Sequence, residues 1–161
     1  MNNDFRLDEV IEVIEEILSS GGEFKFQPKG VSMRPLIVGG RDSVVLKSFD
    51  PNTVKKHDML FYRRENGQFV LHRLIKIEND GRFTMCGDNQ LKLERRLDSS
   101  FVIGVVSGLY RKGKSYDLSG VSYRLYKTFW CFMPLRHILL FPRRCFRSLK
   151  RILIKRKKTV D

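Results

Sequence analysis

The stretch that decides the fold is Gln68-Phe69-Val70-Leu71-His72-Arg73-Leu74-Ile75-Lys76-Ile77-Glu78. Its alternation puts Val70, His72, Leu74 and Lys76 on one face of a strand. Phe69, Leu71, Arg73, Ile75 and Ile77 take the other. Just upstream, Glu65-Asn66-Gly67 has hairpin-turn chemistry, because Asn-Gly tolerates positive φ at both central positions. Residues 58–64 (DMLFYRR) are therefore the pairing strand. Just downstream, Asn79-Asp80-Gly81 turns the chain into residues 82–86 (RFTMC). Two hairpins in succession predict an antiparallel meander.

Outward from the meander the chain stays β-rich. Residues 23–28 alternate, with Phe24 and Phe26 opposite Glu23, Lys25 and Gln27. Residues 43–47 (SVVLK) read as a short buried strand, and 101–110 (FVIGVVSGLY) as a long one with a bulge or close approach at Gly104. Residues 115–118 close the sheet, whereas 87–100 read as a polar loop. Before all this, residues 8–20 predict an amphipathic helix. Val10, Ile11, Ile14, Ile17 and Leu18 fall on one face, and Gly21-Gly22 forms the stop. The expectation is a mainly β body of six to eight strands (residues 23–121), preceded by a helical segment (1–22) and followed by a tail (122–161).

Charge separates the tail from the body. Residues 1–121 hold 19 Lys/Arg and 17 Asp/Glu, whereas residues 122–161 hold 12 Lys/Arg and one acid. Most of the net charge of +13 thus belongs to the tail. That argues against a nucleic-acid-binding core and for a terminal segment that seeks an anionic surface. Tyr126, Phe129, Trp130, Phe132, Leu135 and Phe141 are interleaved with Arg124, Lys127, Arg136, Arg143 and Arg144, and Pro134 and Pro142 split the segment into short helical pieces. This is the composition of an interfacial membrane anchor, expected over residues 123–158. Lys155-Arg156-Lys157-Lys158 would add roughly 1 kcal/mol per residue near anionic lipid. A partner-protein helix and a solvated tail are the competing readings. No apolar run reaches the ~18 residues a spanning helix needs. The N-terminus opens polar and acidic rather than as a secretory signal. Cys86, Cys131 and Cys145 have no metal-type spacing, which favours a reducing, cytosolic setting. No cofactor or metal is implied.

Three stretches carry candidate chemistry. Ser32 stands in Gly30-Val31-Ser32-Met33-Arg34-Pro35, a turn-forming segment. A serine hydroxyl needs a base to become a nucleophile. His57 lies in the polar turn Lys55-Lys56-His57-Asp58, and His137 lies in the basic tail. Only His72 sits on a strand of the body and shares a face with apolar residues, where burial keeps imidazole neutral and basic. The third stretch, Gly87-Asp88-Asn89, offers Asp88 as the acid that orients the imidazole, with Glu94 as a second candidate. Each alone has a bland reading: a turn serine, a structural histidine, a loop acid.

Together and in order, these boxes resemble those of type I signal peptidases. Ser32-Met33-Arg34-Pro35 is similar to the SMxP box, Gly40-Arg41-Asp42-Ser43-Val44 to the box that leads into the next strand, and His72-Arg73 and Gly87-Asp88-Asn89 to the remaining two. The likeness covers about residues 24 to 110, and the wider superfamily includes the self-cleaving SOS repressors. Most bacterial members use a lysine base; histidine at this place resembles the endoplasmic-reticulum and sporulation-type enzymes and implies a Ser-His site. The same resemblance implies assistance from Asp88 and from an acid six residues on, Glu94. The chain departs in having a soluble amphipathic helix where signal peptidases carry a membrane anchor, and glutamate rather than aspartate at 94.

The expected function is a serine endopeptidase acting on a leader- or signal-type peptide laid beside the sheet. Ser32 would be the nucleophile and His72 the general base, with the Ser32 amide in the oxyanion site. The expected place is the periphery of a bacterial cytoplasmic membrane, with the cytoplasm as alternative. The alternative function is a non-catalytic module of the same fold that binds a peptide or a membrane partner. A self-cleaving regulator would need a DNA-binding domain, and the segment before residue 23 is too short for a helix-turn-helix.

Overall fold

The computed structural model describes residues 7–132 together with Pro134, Arg136 and Ile138. The chain forms a single mixed-length antiparallel sheet with two flanking helices. In chain order the elements are α1 (Leu7–Ser19), β1 (Phe24–Phe26), β2 (Ser43–Lys47), β3 (Met59–Arg63), β4 (Phe69–Ile77), β5 (Phe83–Cys86), β6 (Glu94–Leu97), β7 (Val102–Arg111), β8 (Lys114–Tyr116) and α2 (Val121–Cys131). The strand order is β1-β2-β7-β3-β4-β5-β6, with β8 paired to β7. The expected meander is β3-β4-β5. The long strand β7 inserts between β2 and β3 and joins the N-terminal strands to it.

Alternation distributes the apolar residues to both sides of this sheet. Met59, Phe61 and Leu71 join Ile14 and Leu18 of α1, Leu36, Ile37, Val44 and Leu46 in one core. Leu60, Tyr62, Val70, Leu74, Phe83 and Met85 build a second. The five residues from Val70 to Leu74 are consequently all buried, so β4 is covered on both faces. The α1 helix ends where Gly21 and Gly22 donate their amides to the Leu18 and Ile17 carbonyls, the bonding of a Schellman stop.

Three local expectations change. The β3–β4 turn has positive φ at Gly67 but not at Asn66. Its Gly67 amide donates to the Arg64 carbonyl at 2.9 Å and the Arg64 amide to the Gln68 carbonyl at 2.9 Å. That is a three-residue loop with a left-handed glycine, the other common way to match strand twist. Second, the segment expected as loop over 87–100 contains strand β6, which pairs with β5. It has no apolar alternation to announce it, because it lies at the sheet's edge with its two arginines exposed. Third, the tail begins as an element of the body. Tyr123 is buried in the first core, and Tyr126 and Trp130 reach Asp88 in the loop after β5. Residues 139–161, including the basic run 155–158, lie outside the described residues. Among the described residues no helix is long and apolar enough to cross a membrane.

The tie between these parts is an ion pair buried in the protein. Arg73 of β4 and Asp88, just past β5, are both fully buried. Two parallel bonds of 2.8 Å join them, and Arg73 also donates to the His57 carbonyl and the Tyr123 hydroxyl. Two charges taken out of water are tolerated only when paired and hydrogen-bonded this completely. Removing the acid alone leaves the guanidinium uncompensated. Asp88→Ala is expected to lower stability by about 3–5 kcal/mol in urea unfolding; a loss below about 1 kcal/mol would refute the pair as the main tie.

Candidate active site

Ser32 is carried by the connection between β1 and β2, and that connection is held closed at its base. The Gly40 amide donates to the Pro28 carbonyl at 3.0 Å. The buried Asp42 carboxylate accepts from the amides of Val38 and Lys112 at 2.9 and 3.2 Å and is paired with Arg41. The Arg41 hydrogen bond, aided by the two amides and opposed by burial, holds its pKa down at about 2. Met33, Leu36 and Ile37 sink into the core beneath, leaving Ser32 half-buried and Val31 exposed. At the top, the Asn89 amide donates to the Ser32 carbonyl at 2.7 Å, and the Asn89 side chain donates to the Val31 carbonyl at 3.2 Å. The serine segment is therefore fixed to the loop after β5.

His72 enters the same place from β4. A β-carbon on Gly87 would lie 2.7 Å from the Ser32 carbonyl oxygen and 3.0 Å from His72 Nε2. Residue 87 must be glycine for the serine segment and the imidazole edge to close in from both sides. Ser32 and His72 also line one cleft of about 1280 Å³, together with Phe24, Phe26, Phe61, Phe69 and Leu71. Among the described residues no hydrogen bond joins the Ser32 hydroxyl to the imidazole, whose polar neighbours there are Tyr62 and Glu94.

The opposite edge of the ring decides which nitrogen is free. Nδ1 lies 3.1 Å from Glu94 Oε1 and 3.1 Å from the Tyr62 hydroxyl. The Tyr62 proton goes to Glu94 Oε2, at 2.8 Å. Nδ1 thus faces a carboxylate oxygen and a hydroxyl oxygen whose proton is spent, and both accept. The network assigns the ring hydrogen to Nδ1 and leaves the Nε2 lone pair directed at the Gly87 side. Arg64 completes the shell, with Nε 2.9 Å from Glu94 Oε2 and a terminal nitrogen on Oε1. Burial pushes the Glu94 carboxyl up, but hydrogen bonds from His72, Arg64 and Tyr62 outweigh it and hold it well below the usual carboxylate range. Burial likewise raises the Tyr62 hydroxyl, with Glu94 adding to the shift. It stays protonated and able to donate.

Of the two expected acids, the structure sets Glu94 beside the imidazole and Asp88 away from it. Successive residues of a strand point to opposite faces, so Arg73 leads Asp88 to the side opposite His72. There the Asp88 carboxylate also accepts from Tyr126 at 2.8 Å, and its carbonyl accepts from Trp130 at 2.7 Å. His57 is half-buried rather than solvated: its amide and carbonyl bond to Leu74 and Arg73. Burial, with Lys56, Arg73 and other nearby cations adding, lowers its pKa to about 4. It does not line the cleft, and His137 lies outside the described residues. Cys86 is buried, and desolvation pushes its thiol up to about 11, away from nucleophilic use. Tyr62 and Arg64 are site partners that the sequence left unmarked, while Trp130, read there as part of a membrane anchor, bonds to the Asp88 loop. Only the spacing of Tyr62, on the strand paired with His72, and Arg64, two residues on and just past its end, could have suggested their common face. Among the described residues no cluster of side chains is arranged to hold a metal ion.

No protein-family model, curated protein or solved structure matches the chain.

The depressed Glu94 pKa carries a sign. A carboxylate held below its unfolded value stabilises the fold above pH ~4.3, and this contribution is lost as pH falls through the folded value. Glu94→Gln is expected to cost about 1–3 kcal/mol at pH 7. The gap from wild type should narrow below pH ~4 in thermal or urea unfolding. A gap that is constant from pH 7 to pH 3 would contradict the charge-based account.

Proposed function

We propose that the protein is a serine endopeptidase that cleaves a leader- or signal-type peptide, working at the periphery of a bacterial cytoplasmic membrane. The observation that carries the reading is the hydrogen-bonding of His72: Nδ1 is held by an acid and Nε2 is left free toward the serine segment. The four-box resemblance to signal peptidases supports it independently. Edge strand β1 supports it too: among the described residues it pairs only with β2, and it borders the apolar cleft, so an extended peptide could add to it there.

In this reading Ser32 Oγ attacks the scissile carbonyl while His72 Nε2 takes its proton. The tetrahedral oxyanion forms beside the Ser32 amide. The imidazolium is stabilised by Glu94, which keeps its own charge because Tyr62 and Arg64 bind it. His72 then gives the proton to the departing amine, the C–N bond breaks, and the acyl group stays on Ser32. Water, deprotonated by the same Nε2, releases it and restores the hydroxyl. Glu94 has the role of orienting acid, and Asp88 that of holding the loop that receives Ser32. The membrane part of the proposal rests on the concentration of positive charge after residue 122.

The test is cleavage of a defined mixture of synthetic peptides, read by mass spectrometry as new termini. Ser32→Ala and His72→Ala are each expected to lower cleavage at least about 10³-fold, and Glu94→Gln about 10²- to 10⁴-fold. Equal cleavage by wild type and Ser32→Ala would end the proposal. Saturable peptide binding without any new terminus would favour the non-catalytic binding module instead.

A further inference from the structure

Helix α2 has two unlike faces. On the inner one, Tyr123 is buried, Tyr126 donates to the Asp88 carboxylate and Trp130 donates to the Asp88 carbonyl. Past the helix, Arg136 is fully buried and donates to the Gly87 carbonyl at 3.1 Å. On the outer face Val121, Leu125 and Phe129 recur every fourth residue and Phe132 follows. They are 63%, 52%, 60% and 59% exposed. A continuous row of large apolar side chains facing water marks a docking surface rather than scattered surface residues.

Charge says what would cover it. Arg124 and Lys127 lie in the helix, and residues 133–161 hold ten Lys/Arg against one acid. A second copy would bring +13 against +13. An anionic lipid surface fits both features: headgroups take the cations while the acyl boundary takes the apolar row.

We propose that the outer face of α2 is the docking surface for an anionic lipid bilayer, and that docking there steadies the Ser32 segment through the inner face. The route is short. Trp130 and Tyr126 hold Asp88, the next residue is Asn89, and the Asn89 amide is the donor to the Ser32 carbonyl. A helix pressed onto the body by lipid restrains the loop that receives the serine. The consequence for activity rests on the peptidase reading; the docking and the restraint do not.

The experiment uses the full chain with vesicles of phosphatidylserine and phosphatidylcholine, or of phosphatidylcholine alone, at about 0.1 M salt. Sedimentation reads binding, and amide hydrogen exchange reads the loop at Asn89. Wild type and Ser32→Ala should both bind the anionic vesicles, and exchange at Asn89 should slow several-fold on binding. The double variant Leu125→Ser, Phe129→Ser alters only exposed positions. It should keep its circular dichroism spectrum while binding falls at least about tenfold. Trp130→Phe should still bind, with the slowing at Asn89 reduced. Equal binding to both vesicle types, or serine variants that bind as wild type does, would overturn the docking surface. So would a concentration-dependent dimer abolished by the same substitutions without vesicle binding. Binding that leaves Asn89 exchange unchanged would overturn the restraint. None of these readouts requires turnover, so an inactive Ser32 would fail the peptidase reading alone.

Discussion

The buried pairing of Arg73 with Asp88 is the constraint on which the remaining geometry depends. Neither charge can be left alone in the interior, so the end of β5 must lie within reach of the middle of β4. That closeness brings Gly87 against the imidazole and Asn89 against the Ser32 carbonyl. The tyrosines of α2 then have a reason to lie where they do. Tyr123 and Tyr126 stack on one another, both rings lie near the guanidinium, and their hydroxyls find Arg73 and Asp88. One pair of opposite charges thus locates a strand, a loop and a helix relative to one another.

Polar groups around His72 divide into two sets that do not mix. Tyr62, Arg64 and Glu94 serve the imidazole, whereas Arg73, Tyr126 and Trp130 serve the Asp88 loop. The pleat of β4 keeps them apart, since neighbouring residues cannot share a face. The separation has chemical value. In the proposed hydrolysis, an aspartate already saturated by a guanidinium would be a poor partner for a ring that gains and loses charge. A glutamate reached by a tyrosine, an arginine and the ring itself stays anionic beside it.

Much of the sheet was legible in the sequence because alternation is a direct trace of burial: 43–47 was read to the residue, and the meander strands to within a residue or two. Edge strand β6 was not legible. Its Glu94-Arg95-Arg96-Leu97 carries no apolar period, and only its pairing with β5 makes it a strand. Ser32 and His72 were legible as residue types, but which acid meets the ring was not, because the answer depends on which face each neighbour occupies after pairing. The tail shows a different ambiguity. Tyrosine and tryptophan look alike in sequence whether their polar tips meet lipid headgroups or a buried loop. Here Tyr126 and Trp130 meet Asp88.

The three-residue turn at Gly67 has a reach beyond its own surface position. It sets the register in which Leu60 faces His72 and Tyr62 faces Val70. Side chains on a strand repeat with period two, so a slip of one residue would turn His72 to the other side of the sheet and away from Tyr62. The length of an exposed loop, some distance from Ser32, is in this sense part of the specification of the site. A chain with one residue more between Arg64 and Gln68 would keep every side chain of the candidate constellation and lose their assembly.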